Sequence, residues 1–236
     1  MRAGGHWCWL GPRTRGGAGR RRWWNRGSCP RSGSSSSSPP SPSLAVDGRG
    51  GNIYISFADG RRGDADVWVW ASRDSGATFA APTLVNEGAK AATSQYLPRL
   101  AVAPGGRLDV VYYDRRGDPR DVMNEVTLQS SSDGAKTFGP RVRVSDAAFD
   151  SRIGFGSERG LPDLGSRLAL LSSERRALAV WSDTRAGTEV SNKQDLAAAS
   201  VSFTKGSPLR QPLRYGGALV AVVGLLVLLS WPLWRS

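Results

Sequence analysis

The chain has 236 residues, 39% of them hydrophobic and 22% charged, with a formal net charge of +12. That is enough length for one or two domains and enough apolar content for a core. The single histidine, His6, and both cysteines, Cys8 and Cys29, lie near the N-terminus, which excludes zinc sites, histidine-based general catalysis and a disulfide framework from the rest of the chain.

Residues 1–41 come first. Eight arginines and no acid fall within residues 1–31, and the tract SGSSSSSPPSPS follows from Ser32. Ser/Pro/Gly tracts bury too little surface to offset ordering entropy, so a disordered leader is expected. No apolar stretch there has the length of a secretory h-region. Trp7, Trp9, Trp23 and Trp24 stand among the arginines and can stack on bases. A nucleic-acid site, however, carries its charge on a folded face or in a recognisable motif, so no nucleic-acid partner is expected. Residues 32–204 hold 20 basic and 20 acidic side chains, so the middle of the chain is neutral.

Between residues 42 and 204 one pattern recurs three times. It opens on Pro-x-Leu: Pro42-Ser43-Leu44, Pro98-Arg99-Leu100 and Pro162-Asp163-Leu164. A polar turn follows at 47–52, 103–107 and 172–176, then a second apolar run at 53–57, 108–113 and 177–181. Each second run enters aromatic-x-Asp-x-Arg: Phe57 to Arg61 with Asp59, Tyr112 to Arg116 with Asp114, and Trp181 to Arg185 with Asp183. A third run starts at Asp66, Asp121 and Asp195. The first two third runs end in related turns, SRDSGATF (72–79) and SSDGAKTF (131–138), and short fourth runs follow at 82–86 and 140–146. In the third unit a fourth strand is missing or unreadable.

Short strands with turn signals every 8–15 residues, repeated at a period of 50–70, predict stacked four-stranded antiparallel blades. The run Val67-Trp68-Val69-Trp70 is apolar on both sides, as a strand sandwiched between neighbours must be. Trp68 and Trp70 share a face and are expected to be buried between the first and second units.

The two turns, read as Ser72, Asp74, Gly76, Thr78, Phe79 and Ser131, Asp133, Thr137, Phe138, resemble the Asp-box, or BNR repeat, of the sialidase superfamily. The second departs from the pattern, with Ala135 where glycine is usual and Gly134 one place early. The resemblance covers about residues 42–204 and implies an all-β, six-bladed β-propeller of which about three blades are present. Three units do not close a ring, so missing first blades or a second chain are expected to complete it.

In such a fold the boxes lie on one rim and a glycan site on the other. Asp59, Arg61, Arg99, Asp114, Arg116, Asp183 and Arg185 are the candidate residues for the glycan rim, either as ligand clamps or as turn braces. The family binds a sialic-acid carboxylate with three arginines and uses a tyrosine nucleophile paired with glutamate. The usual Arg-Ile-Pro is absent here, and Tyr113 is the last tyrosine before residue 215, so no nucleophile can be placed. Binding of a glycan or surface protein without turnover is the expected function. A sialidase-type hydrolase, or a fragment of one, is the alternative. No cofactor and no metal is expected.

Residues 205–214 form a basic linker with Lys205, Arg210 and Arg214. Residues 215–234, YGGALVAVVGLLVLLSWPLW, carry no charge and as a helix measure about 30 Å, the thickness of a hydrocarbon core. Tyr215, Trp231 and Trp234 at its ends suit aromatic belts, so a single membrane span is expected. Flanking charge alone places the blades in the cytoplasm. The resemblance implies glycans outside it, and an extracytoplasmic domain is the expectation.

Overall fold

The computed structural model describes residues 42–89, 93–153, 164, 168–188, 190–191 and 193–204. The expected leader, the basic linker and the expected span at 215–234 lie outside them. No helix of the described residues is long and apolar enough to cross a membrane.

Every described element is a strand, and each strand finds its neighbour in the sheet by antiparallel pairing. Sheet 1 runs β1 (Ser43–Val46), β2 (Ile53–Asp59), β3 (Asp66–Ser72), β4 (Thr83–Leu84) in that order. Sheet 2 runs β5 (Gln95–Val102), β6 (Leu108–Asp114), β7 (Met123–Ser131), β8 (Val142–Arg143), and a short strand that sequence reasoning missed, β9 (Phe149–Asp150), also pairs with β7. Sheet 3 runs β10 (Leu168–Ser172), β11 (Arg176–Asp183), β12 (Asp195–Ser202). Among the described residues sheet 3 therefore has three strands, not four.

Side chains alternate across each strand, so each sheet has two faces. Tyr54, Val67 and Val69 on one face of sheet 1 meet Leu100, Leu108, Val110 and Tyr112 of sheet 2 in one buried cluster. The opposite face of sheet 2, with Val111, Tyr113 and Val126, meets Leu168, Ala179 and Trp181 of sheet 3 in a second. Sheet 2 is thus covered on both sides. This explains why β6 is buried along its whole length.

Two expectations need correction. Trp68 and Trp70 do not lie between sheets 1 and 2. The alternation that buries Val67 and Val69 there turns both tryptophans to the far side of sheet 1. Trp70 instead stacks on Phe57, with ring centroids 4.6 Å apart, and on Phe79 at 6.4 Å. The second correction concerns the third unit: of the expected Pro162-Asp163-Leu164 opening only Leu164 falls among the described residues, and it is not in a strand. β10 begins at Leu168, and Leu170, paired with Ala179, takes the register that Leu44 and Leu100 hold against Ile55 and Val110.

Antiparallel order divides the connections between two rims. The turns at 47–52, 73–82, 103–107, 132–141 and 173–175 share the back rim. The front rim holds the turns at 60–65, 115–122 and 184–194 with the links between sheets. Hydrogen bonds keep to this division. On the back rim Arg73 donates to the Gly134 carbonyl at 3.1 Å, and Arg107 donates to the carbonyls of Ser173 and Glu174 at 2.9 Å each. On the front rim the Asp121 carboxylate accepts from the backbone and hydroxyl of Ser94, and the Thr184 hydroxyl donates to the Asp150 carbonyl.

Candidate functional site

The two Ser-x-Asp turns have one geometry. The Ser72 hydroxyl donates to Asp74 at 2.7 Å and accepts the Gly76 N–H at 2.8 Å. The Ser131 hydroxyl donates to Asp133 at 2.8 Å and accepts the Ala135 N–H at 3.0 Å. Each aspartate then accepts the backbone N–H and hydroxyl of a threonine, Thr78 or Thr137. Both turns need two consecutive left-handed residues. The first uses Ser75 and Gly76, the second Gly134 and Ala135. Each sequence thus supplies one glycine at one of the two positions, which relieves part of the steric cost of φ above zero. This is why the second turn survives its displaced glycine. Phe79 lies against Trp70 on the far side of sheet 1, and Phe138 packs on the cluster between sheets 1 and 2.

These bonds hold the turn carboxylates in their ionised form. Bonding from Thr78, then from Ser72, lowers the Asp74 carboxyl to about 2, and the Thr137 and Ser131 bonds lower Asp133 in the same direction. Backbone N–H groups led by Met123 lower Asp118, in a front-rim turn, to about 2. Each group prefers to be ionised more strongly in the folded than in the unfolded chain. Its stabilising effect is complete above the unfolded carboxyl value near about 4 and is lost as the pH falls towards about 2. The melting temperature is expected to hold steady above about pH 4 and to drop below it. Asp74→Asn, measured by calorimetry across that range, should flatten the drop.

The front rim holds the three aromatic-x-Asp-x-Arg turns, and in each the arginine clamps the aspartate two residues before it. Asp59 accepts the Arg61 backbone N–H at 2.8 Å and its guanidinium at 2.9 and 2.6 Å. Asp114 accepts the same groups of Arg116 at 3.0 and 2.7 Å, and Asp183 accepts those of Arg185 at 2.9–3.0 Å. All three pairs are braces. Burial pushes the Asp59 carboxyl upward, but the bonds from Arg61 outweigh it and hold that carboxyl below its ordinary value. Arg61 also lies over the Trp68 ring at 4.7 Å.

Two further Asp-x-Arg braces escaped sequence reasoning: Asp118 with Arg120, and Asp150 with Arg152. Neither has an aromatic residue two places before its aspartate, so neither fits the aromatic-x-Asp-x-Arg pattern. The Asp-x-Arg spacing alone would have found both.

The pairs differ in depth. Asp59 is partly exposed, while Asp114 is fully buried and also accepts from Thr127 at 3.0 Å and Gln95 at 3.3 Å. Asp183 is nearly buried and accepts the Trp181 indole N–H at 3.2 Å. Arg185 reaches on to Asp146 in the link after β8. Arg99 sits on β5 just past a bulge where Leu97 adopts φ +50°, and its guanidinium donates to the Pro98 carbonyl at 3.0 Å.

Arg115, which was not singled out in the sequence, sits at the centre of the front rim of sheet 2. Its guanidinium donates to Asn124, to the Tyr96 hydroxyl and to the Ser151 hydroxyl at 3.0 Å each, and it covers the Tyr96 ring at 4.6 Å. Asn86 performs a similar joining role between sheets 1 and 2, donating to Asp66 and Gln95 at 2.7 Å each. Both act by long-range pairing, which spacing along the chain cannot reveal.

The four described tyrosines are all buried, and burial raises the pKa of each phenol. Their hydroxyls are engaged where bonds are resolved: Tyr96 with Asn124, Tyr112 with Gln129 at 2.6 Å, and Tyr113 with the Ser182 carbonyl at 3.4 Å. A phenol nucleophile needs access and a lowered pKa. None of these four has either. No group of three or more His, Cys, Asp or Glu among the described residues is placed to hold a metal ion.

No family model matches the chain, and no curated protein matches it. Solved structures do. An α-L-arabinanase from Penicillium chrysogenum, complexed with arabinobiose, aligns at a TM-score of 0.51 and 19% identity, over 70% of this chain and 46% of that one. An α-L-arabinofuranosidase from Fusarium graminearum aligns at 0.48 and 16% identity, over 68% of this chain and 44% of that one. A Hadza microbial sialidase aligns at 0.42 and 12% identity, over 70% and 35%. The chain therefore spans less than half the length of these structures. These neighbours are glycoside hydrolases, and the likeness to the arabinanase is one of fold alone: the three sheets are arranged like part of a β-propeller.

Proposed function

We propose that the chain is a sialidase-like, Asp-box propeller domain that binds anionic glycans on its front rim and does not turn them over by a tyrosine mechanism. One observation carries this reading: the front rim presents braced arginines, while every described tyrosine is buried with its pKa raised. The brace takes Nε and one Nη of Arg61, and that side chain is still 39% exposed. A guanidinium has five N–H donors in a planar fork, so a braced arginine is already oriented to offer its remaining donors to a carboxylate or sulfate. The six-bladed ring, the membrane span at 215–234 and an extracytoplasmic position belong to the same proposal. They rest on the resemblance of the turns and on the uncharged stretch.

Calorimetric titration with sialyllactose tests it. Arg61→Ala and Arg185→Ala should each weaken binding by about 10-fold, the weight of one charge-assisted hydrogen bond. Asp133→Ala, on the back rim, should lower the melting temperature and leave affinity unchanged. Equal loss from all three variants, with folding intact, would overturn the assignment of binding to the front rim. Release of free sialic acid by the wild-type chain would restore the hydrolase alternative.

A further inference from the structure

Sheets 1 and 3 each have one face that no described element covers. On sheet 1 this face carries Leu44, Val46, Phe57, Trp68 and Trp70; on sheet 3 it carries Leu171, Leu178, Val180 and Leu196. Leu44 is 62% exposed and Leu171 66%. Contiguous apolar faces of this kind mark interaction surfaces.

The internal repeat identifies what each face matches. Leu44 pairs with Ile55 as Leu100 pairs with Val110, and Leu100 and Val110 are buried against sheet 1. The open face of sheet 1 is therefore the counterpart of the sheet 2 face that sheet 1 covers. At the other end, Leu171 pairs with Leu178 as Ala45 pairs with Tyr54, and Ala45 and Tyr54 pack against sheet 2. The open face of sheet 3 is the counterpart of the sheet 1 face that covers sheet 2. Among the described residues, both halves of the interface used internally are thus left without a covering sheet. The halves also differ in bulk: tryptophan and phenylalanine on sheet 1 oppose leucine and valine on sheet 3.

We infer that a second copy of this chain fills both faces, sheet 1 of each copy packing on sheet 3 of the other about a two-fold axis. A partner built from the same repeat supplies both counterpart faces at once, and a second copy is such a partner. The amount of sheet agrees. Three sheets correspond to 46% of the arabinanase chain, so a second set of three is close to what that fold leaves unmatched. Six sheets fall within the about four to eight that close a propeller ring. Two identical interfaces related by a two-fold axis leave no face open, so assembly stops at two copies. This inference is independent of glycan binding, and its test reads mass and cross-links alone.

The test uses the full chain in detergent, with Cys8 and Cys29 replaced by Ser. Val46 and Leu171 hold the places of Val102 and Ala45, which pack on the same internal cluster. Val46→Cys chains mixed with Leu171→Cys chains should cross-link to each other on oxidation, and neither should cross-link to itself. Light scattering should give twice the chain mass. Leu171→Arg alters a side chain that is exposed in the single copy, so the fold should persist while dimer dissociation rises at least 10-fold, a weight typical of an interface hot spot. A folded single copy at high concentration would overturn the inference and leave the faces to other sheets. Like-with-like cross-links, open-ended polymers or a chain that does not fold alone would overturn it as well.

Discussion

Trp181→Ala is expected to cost about 3–5 kcal/mol of folding free energy, whereas Trp70→Ala, measured at concentrations where the chain is a single copy, should cost only about 1 kcal/mol. Trp181 is 2% exposed and fills the cluster between sheets 2 and 3 beside Tyr113, Phe149 and Leu168. Its indole N–H also donates to the nearly buried Asp183 at 3.2 Å. Truncation leaves a cavity among close-packed rings and takes one donor from a buried carboxylate. Trp70 has the same side chain and an equally regular strand, yet it is only partly buried, on a face of sheet 1 that no other described strand covers. Its truncation loses tilted ring contacts with Phe57 and Phe79. Urea unfolding of both variants checks the contrast. A cost near 4 kcal/mol for Trp70→Ala would mean that its face is covered in solution, as the dimer requires at concentrations where it forms.

Asp114→Ala should be comparably severe, at about 3–5 kcal/mol. The carboxylate is fully buried, and the backbone and guanidinium of Arg116, Thr127 and Gln95 all donate to it, with Arg141 a further 3.6 Å away. Removing it leaves a mostly buried guanidinium without its carboxylate, takes the acceptor of the buried Thr127 hydroxyl and one of two from Gln95, and an unpaired buried charge is the costly part. Asp59→Ala removes the same brace from a partly exposed turn and should cost about 0–1 kcal/mol. The brace is repeated in sequence, but its energetic weight follows burial. Thermal unfolding of the two variants side by side would show the difference. Equal costs would mean that the brace itself, and not its depth, sets the stability.

Most of the fold could be read along the chain because its information is local. Period-2 apolar runs, aromatic-x-Asp-x-Arg turns and Ser-x-Asp turns each lie within about ten residues, and β1 to β8, β11 and β12 fall where those signals put them. Three things were not readable. β9 is two residues long, and its only definition is its pairing with Met123 and Asn124. The orientation of Trp68 and Trp70 depends on which face of sheet 1 meets sheet 2, and a strand apolar on both sides does not say which. The start of β10 was misread because Pro162-Asp163-Leu164 imitates an opening whose function is carried by Leu170. At the candidate site the spacing identified the Asp-x-Arg pairs, and their geometry as braces is local too. Arg115 and Asn86 join elements distant in sequence, so only the structure reveals them.

Amide hydrogen exchange, followed by mass spectrometry with and without saturating sialyllactose, tests the front-rim proposal most directly. Protection by the ligand is expected in the front-rim turns at 60–65, 115–122 and 184–194, with no change in the Ser-x-Asp turns at 73–82 and 132–141. Protection confined to the Ser-x-Asp turns, or no protection at either rim, would contradict it.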